Sequence, residues 1–230
     1  MKNAIVLCSG GLDSVVTAHY VKSLGYCNIK VLFFDYGQKN IKGELKCSKI
    51  CSDLIGADFV KIRLKELGEI SDSLINKGGK FKMLGRKDLK DTSKESEKWY
   101  VPCRNLIFLS YALALADSEL MKKTKYDVFV GFKNEGKESY PDTTDEFVKQ
   151  VNLIGEKSCS GKINVLAPLI KKDKEDIIKL GEKIGVDFRD TFSCYTSIDD
   201  LHCGSCLACM LRKEGFYWAN VKDETKYLAN

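Results

Sequence analysis

The feature that most constrains the fold is the start of the chain, where a short apolar run meets a glycine pair and then a helical pattern. Residues 4–8 are apolar, Gly10 and Gly11 follow, and apolar side chains recur at helical spacing from Leu12 until Gly25. A strand that turns sharply into a helix leaves the first N–H groups of that helix unpaired, at a point where an anion can bind. The opening therefore predicts an α/β chain with a phosphate site at its first turn.

The side chains of this turn suit a nucleotide. Ser9 and Ser14 can donate hydroxyl hydrogen bonds, and Asp13 can hold Mg²⁺ or act as an ordinary carboxylate at a helix start. No Gly-Lys-Ser or Gly-Lys-Thr follows, so the turn is not a Walker A loop, and a plain capped turn is the alternative. The residues expected to bind nucleotide here are Cys8, Ser9, Gly10, Gly11, Leu12, Asp13 and Ser14, with Asp13 and Ser14 also catalytic.

Strand-like and helix-like segments alternate through most of the chain. Strands are predicted at 30–35, 58–64 and 128–131, and helices at 40–55 and 105–121. Such alternation is typical of a parallel sheet with helices on both faces.

Two further regions interrupt this alternation. Segment 68–98 contains a glycine pair and many lysines, which indicates a solvated loop that could act as a lid. After Pro168, a charged helix over 174–180 leads into a cysteine-rich end that is too short to build its own core. We therefore expect an ATP-binding domain over 1–170 and a helical C-terminal segment over 171–230.

Four cysteines near the end have the spacing of a metal site. They form C-x8-C-x2-C-x2-C, and such a closed set of thiolates suits structural Zn²⁺, which can supply folding energy that a small segment lacks. An iron–sulfur cluster on the same ligands and four unrelated buried cysteines are the alternatives. The expected ligands are Cys194, Cys203, Cys206 and Cys209.

Composition excludes several classes of protein. With 44% hydrophobic and 30% charged residues over 230 positions, the chain is not wholly disordered, and it contains no apolar run long enough to span a membrane. Ten cysteines without a signal peptide favour a reduced, cytoplasmic protein. The net charge of +5 favours anionic ligands but is spread too evenly to indicate a nucleic-acid partner.

Several motifs occur together in the order of a known family. SGGLDS after an N-terminal strand resembles the PP-loop of the N-type ATP pyrophosphatases, which cleave ATP to AMP and pyrophosphate. The later motifs are Asp35-Tyr36-Gly37-Gln38, Val101-Pro102-Cys103-Arg104-Asn105, Tyr140-Pro141-Asp142 and Thr191-Phe192-Ser193-Cys194-Tyr195. With the cysteine cluster, they make the chain resemble the 7-cyano-7-deazaguanine synthase family nearly from end to end.

The resemblance implies an adenine nucleotide alpha hydrolase-like fold, a homodimer, and an ATP-dependent ligase. Such an enzyme adenylates 7-carboxy-7-deazaguanine and converts it with ammonia, through the amide, to the nitrile. Phe34 and Tyr36 are expected to form the adenine wall, with plain core packing as the alternative. Lys174 is a candidate to reach phosphate, although the sequence favours a solvated helix lysine.

Three residues are expected to meet the deazaguanine substrate. Arg104 could neutralise its carboxylate or a phosphate, and a surface salt bridge is the alternative. Asp142 could accept hydrogen bonds from a guanine-like edge, or cap the helix that begins near Thr143. Tyr140 could stack on the ring.

The chain departs from the family pattern at 131–139, before Tyr140, and at Thr143-Thr144, near the presumed substrate or acceptor. One alternative function is therefore a divergent relative that transfers the activated acyl group to a protein amine. Another is a PP-loop enzyme that modifies tRNA, with phosphate contacts from segment 68–98. A third is a non-catalytic protein whose zinc segment binds a partner.

Overall fold

The computed structural model of the chain describes residues 2–133, 140–197 and 201–228. Its strands are β1 (Lys2–Leu7), β2 (Tyr26–Asp35), β3 (Asp58–Arg63), β4 (Asp127–Phe129) and β5 (Val165–Leu166). They form one parallel sheet in the order β3-β2-β1-β4-β5. The helices are α1 (Leu12–Ser23), α2 (Ile41–Ile55), α3 (Lys65–Glu69), α4 (Leu74–Lys77), α5 (Ser93–Glu97), α6 (Arg104–Met121), α7 (Asp145–Ser158), α8 (Lys174–Lys183) and α9 (Leu207–Ala219).

Side chains of β1 alternate between two hydrophobic cores, because successive residues of a strand point to opposite faces of the sheet. Ala4 and Val6 pack with α1, α2 and α8 on one face. Ile5 and Leu7 pack with α6 and α7 on the other. The predicted parallel sheet with helices on both faces is confirmed.

The order of the strands locates the ligand edge of the sheet. β1 lies between β2 and β4, so the chain leaves β1 toward one side of the sheet and later returns on the other side. At such a switch point, ligands of open α/β sheets bind beyond the carboxyl ends of the strands. The predicted phosphate loop follows β1 at this edge.

The C-terminal helix α8 packs closely on α1, and α9 packs on α8, because a glycine leaves room at each contact. A Cβ at Gly181 of α8 would come within 2.9 Å of the Val16 side chain of α1. A Cβ at Gly215 of α9 would overlap the side chain of Lys174. This packing brings Lys174 to the ligand edge of the sheet. The proposed boundary between 1–170 and 171–230 stays a prediction.

The prediction that segment 68–98 is a solvated loop is wrong for much of its length. The segment carries α4 and α5, and Ile75 and Leu84 are 7% and 8% exposed within the same core as Trp99. Its lysines remain largely on the surface. The prediction gave weight to these lysines and overlooked the buried apolar residues between them, such as Ile75 and Leu84.

Candidate active site and metal centre

A cavity of about 570 Å³ lies at the carboxyl edge of the sheet, a size typical of ligand sites. Most of the residues expected to bind nucleotide or substrate line it. They are Cys8, Ser9, Gly11, Leu12, Asp13, Ser14, Phe34, Tyr36, Arg104, Tyr140 and Lys174. Gly10 does not line the cavity but lies against α2. Asp142 lines a small adjoining cavity with Arg104 and Tyr140.

Hydrogen bonds within the phosphate loop hold its two serines together. Ser14 Oγ donates to the Gly11 carbonyl at 2.9 Å and accepts from the Ser9 backbone N–H at 3.2 Å. The Gly11 N–H donates to Ser9 Oγ at 3.3 Å. Because the first N–H groups of α1 have no partner within the helix, the loop presents donors toward the cavity. A hydrogen bond with the Cys51 thiol lowers the pKa of the Cys8 thiol at the start of the loop.

Gly10 lets the loop pass directly over the first turns of α2. Its φ is +81°, and a Cβ there would overlap the Glu44 carbonyl oxygen and lie 2.9 Å from the Ser48 nitrogen. Ser48 Oγ also donates to the Cys8 carbonyl at 2.8 Å. Only glycine combines the left-handed backbone with this close approach.

Asp13 and Lys174 form an ion pair across the mouth of the loop. Lys174 Nζ lies 2.7 Å from Oδ1 and 2.6 Å from Oδ2 of Asp13, and the two side chains are 18% and 24% exposed. The alternative of a solvated helix lysine is therefore wrong. The pair places one positive and one negative group at the start of α1, where phosphates and a divalent cation would both find partners.

The predicted adenine wall is an aromatic cluster. Phe34 stacks on Phe108 of α6 with ring centroids 4.0 Å apart, and Tyr36 meets the same ring edge-on at 5.4 Å. Burial raises the pKa of Tyr36 to about 12, so its hydroxyl stays protonated. Both side chains pack in the core, as the alternative interpretation expects, and both also line the cavity, so the adenine wall stays a prediction.

Arg104 begins α6 and extends between the two cavities. Its Nη1 lies 3.5 Å from the Tyr36 hydroxyl, and no ion pair holds it among the described residues. The expected alternative of a surface salt bridge is therefore wrong. In the part of the chain that the structure describes, no carboxylate forms an ion pair with this guanidinium, so it suits a carboxylate or a phosphate of a ligand in the cavity.

Asp142 caps a different helix from the one the sequence suggested. It is 8% exposed, and its Oδ2 accepts the Asn105 N–H in the first turn of α6 at 3.3 Å. Thr144 is the cap of α7, because its hydroxyl accepts the Phe147 N–H. Tyr140 lies beside Asp142, stacks on Tyr100 and donates to the Ser96 carbonyl. Residues 134–139, part of the departure from the family pattern, lie outside the described residues.

Sequence reasoning missed several charged residues that line the cavity, among them Glu44 of α2. Gln38 Nε2 donates to Glu44 Oε2 at 2.9 Å. Burial raises the pKa of Glu44 to about 7, although the Gln38 hydrogen bond and the charge of Arg104 act in the opposite direction. The sequence could have indicated Glu44, because it lies in the first turn of the helix that follows β2 and such turns lie at the ligand edge of the sheet.

The four predicted metal ligands converge although 14 residues lie between the first and the last. The sulfurs of Cys194, Cys203, Cys206 and Cys209 all lie within 4.8 Å of one another. Four thiolates around Zn²⁺, with Zn–S near 2.3 Å, would lie about 3.8 Å apart, so small shifts would close the site. The backbone N–H groups of Cys203 and Thr196 donate to Cys194 Sγ at 3.2 and 3.3 Å, which stabilises a thiolate. The cluster fits a metal ion.

A short segment joins this cluster to the phosphate loop. The Phe192 N–H donates to the Gly10 carbonyl at 2.8 Å, and the Phe192 ring packs on Gly43 of α2. Asn40 Nδ2 donates to the Cys194 carbonyl at 2.7 Å. Arg212, 1% exposed, donates to the Thr191 hydroxyl at 2.7 Å. The metal centre and the loop therefore share one hydrogen-bonded support, which sequence spacing did not reveal.

Comparison with known proteins identifies the family. A family model described as "Queuosine biosynthesis protein QueC" matches residues 3–220. The chain belongs to the QueC family. The 7-cyano-7-deazaguanine synthases of Methanocaldococcus jannaschii and Rickettsia bellii are each 35% identical to it, over 98% and 99% of this chain and 99% of each relative. The 7-cyano-7-deazaguanine synthase of Methanosphaera stadtmanae is 36% identical over 97% of both chains.

A solved structure of NMN synthetase from Francisella tularensis aligns with this QueC-family chain at a TM-score of 0.44 and 13% identity, over 99% of this chain and 80% of that one. Among the described residues, no helix is both long and apolar enough to cross a membrane.

Proposed function

We propose that the chain is an ATP-dependent ligase that converts 7-carboxy-7-deazaguanine and ammonia to 7-cyano-7-deazaguanine. The observation that carries this proposal is the cavity itself, which holds the phosphate loop, the aromatic wall at Phe34 and Tyr36, and Arg104 within about 570 Å³. Membership of the QueC family, with relatives named for this nitrile, supports the same reaction. The relatives named above lend no support to a protein amine or a tRNA base as acceptor.

The first step follows from the charges that line the cavity. A substrate carboxylate beside Arg104 attacks the α-phosphorus of ATP, the bond to the β-phosphate breaks, and pyrophosphate leaves. The N–H groups at the start of α1, with Ser9 and Ser14, stabilise the negative charge that develops on the leaving group. Asp13 would hold Mg²⁺, which shields phosphate charge, and Lys174 would move from Asp13 to a phosphate oxygen.

The second step uses the acyl adenylate. Ammonia attacks the carbonyl carbon and AMP leaves, which gives the amide. A second adenylation, on the amide oxygen, and loss of AMP then give the nitrile. Tight positioning between the aromatic wall and the loop supplies the rate, because no covalent enzyme intermediate is required.

Asp142 is proposed to read the deazaguanine and Tyr140 to stack on it. The buried Asp142 carboxylate can accept from a ring N–H and an exocyclic amine next to Arg104. Zn²⁺ is proposed at the four cysteines as a structural ion, since four protein ligands leave no open position. The homodimer and the cytoplasmic location also stay predictions, the first testable by sedimentation.

The decisive experiment is a product assay. The protein is incubated with ATP and 7-carboxy-7-deazaguanine, with and without ammonium, and pyrophosphate, amide and nitrile are measured by mass spectrometry. Nitrile that forms only with ammonium supports the proposal, whereas pyrophosphate release without amide or nitrile indicates another acceptor. Asp142→Asn should raise the KM for the deazaguanine about tenfold or more, because an amide presents a donor where an acceptor is needed. Asp53→Asn, at an exposed position of α2, is the matched control.

A further inference from the structure

Glu44 is an acid in the cavity to which the adenylation step assigns no role. Its side chain is half-buried and lines the cavity together with Arg104, Tyr36 and the phosphate loop. In the part of the chain that the structure describes, the hydrogen bond from Gln38 is the only one to this carboxylate. One carboxylate oxygen therefore remains available to a small cationic or hydrogen-bonding ligand.

Gln38 fixes the direction of the Glu44 carboxylate. Its Nε2 also donates to the Phe34 carbonyl at 2.9 Å, and its Oε1 accepts the Tyr36 N–H at 2.8 Å. The Gln38 side chain is 3% exposed, and both its amide nitrogen and its amide oxygen form hydrogen bonds. These bonds fix its rotamer. A surface glutamate would have no such support.

Glu44 lines the same cavity as Arg104, the residue proposed to bind the substrate carboxylate. Arg104 contacts the Tyr36 hydroxyl, and both Arg104 and Glu44 act electrostatically on Tyr36. An acyl group held at Arg104 would therefore have Glu44 nearby, because both residues line one cavity and the charge of Arg104 acts on Glu44. An incoming nucleophile must approach the acyl carbon within this space.

We propose that Glu44, held by Gln38, binds the ammonium ion and removes one of its protons before attack on the acyl adenylate. The inference rests on the proposed ligase function and assigns the amine site of that reaction. A carboxylate attracts a small cation, whereas the neighbouring guanidinium repels it from the acyl-binding position. The carboxylate of Glu44 and the guanidinium of Arg104 therefore favour binding of the ammonium ion and the acyl group at adjacent positions.

The atoms and electrons of this step balance. Ammonium passes one proton to Glu44, and the nitrogen lone pair forms the C–N bond at the acyl carbon. The C–O bond to AMP breaks, its electron pair leaves with AMP, and a second N–H proton passes to the departing phosphate or to water. Glu44 then releases its proton to solvent.

The acidity of Glu44 suits this role. Ammonium is a weak acid, so a carboxylate of ordinary pKa is a poor acceptor for its proton. Burial raises the pKa of Glu44 to about 7, which brings the two groups closer in proton affinity. The other groups facing it, Arg104 and Tyr36, keep constant charge near neutral pH, since the pKa of Tyr36 is about 12.

The test compares two amines in Glu44→Gln, with Glu156→Gln on the exposed surface of α7 as the matched control. Hydroxylamine is largely neutral near neutral pH, so it needs no base before it attacks the adenylate and forms the hydroxamate. We expect Glu44→Gln to lose about tenfold to a hundredfold in amide formation from ammonium, and less than about threefold in hydroxamate formation. Its rate with ammonium should keep rising toward alkaline pH, where free ammonia increases.

Each other outcome overturns the inference. Equal losses with both amines mean that Glu44 supports adenylation or folding, and unchanged use of ammonium means that it plays no part. A rise in the KM for ATP alone means that Glu44 accepts from the adenine amine instead. Pyrophosphate release by the parent protein is measured first, because its absence would refute the proposed function itself rather than the role of Glu44.

Discussion

A methyl group at Gly10 should separate the phosphate loop from α2. The Cβ of Gly10→Ala would overlap the carbonyl oxygen of Glu44 and approach the Ser48 nitrogen to 2.9 Å. Both atoms belong to backbone, so no side chain can rotate away. The first turns of α2 would have to retreat by about 1 Å to restore ordinary contact.

Gly25→Ala separates the strain of the backbone from this overlap. Gly25 has nearly the same φ, +83°, but a Cβ there meets no atom within 4 Å. The left-handed conformation should cost each variant about 1–2 kcal/mol of unfolding free energy. Overpacking against α2 should cost Gly10→Ala about 1–3 kcal/mol more.

The assay is urea unfolding followed by circular dichroism, with the free energy of each variant extrapolated to water. Gly10→Ala should also lose ATP-dependent pyrophosphate release, whereas Gly25→Ala should retain it, since Gly25 lies at the opposite end of α1 from the cavity. Equal free-energy losses in the two variants would refute the close approach of loop and helix, and with it the reason for glycine at this position.

Three more predictions follow from the site. Cys206→Ser or treatment with a strong chelator should remove bound metal and lower the Tm by about 10 °C or more. The control Cys27→Ser, at an exposed thiol, should leave the metal content and the Tm unchanged. Metal analysis and calorimetry measure the two quantities. Lys174→Met should slow pyrophosphate release about tenfold or more, with a smaller effect on Tm because Asp13 stays partly solvated; a parental rate would contradict the phosphate role. Glu44→Gln should raise the free energy of unfolding by about 1–3 kcal/mol at about pH 8 and change it little below pH 4.5. The reason is that the raised pKa of Glu44 lowers the stability of the parent protein as pH rises from 4.5 to about 7. Urea unfolding of both proteins at the two pH values measures this difference.

Four of the five strands could be predicted because each depends on a local apolar pattern, whereas β5, with two residues, is too short to carry one. The boundaries of α2 and β3 differ from the predictions by one residue at most, and β2 extends four residues further toward its start. Segment 68–98 could not be predicted in the same way. Its short helices have no periodicity of their own and are stabilised by burial of residues such as Ile75 and Leu84.

In the candidate site, too, local features could be predicted and contacts between distant segments could not. The phosphate loop and the cysteine cluster were visible because their chemistry is carried by neighbours in the chain. The cap made by Asp142 was assigned to the wrong helix, because its partner Asn105 lies 37 residues away. Local rules assign a capping residue to the helix that follows it, although a carboxylate can serve any helix start within reach.

By itself, the sequence determined the family, the alternation of strands and helices, the phosphate loop and the four metal ligands, since each is encoded in short spacings that survive in any compact arrangement. Only the tertiary structure decided which charges meet. Lys174 pairs with Asp13 across 161 residues, and Phe192 ties the metal segment to Gly10. Such contacts depend on how helices pack on the sheet, because side-chain reach is a few ångströms and the order of strands sets which chain segments come that close.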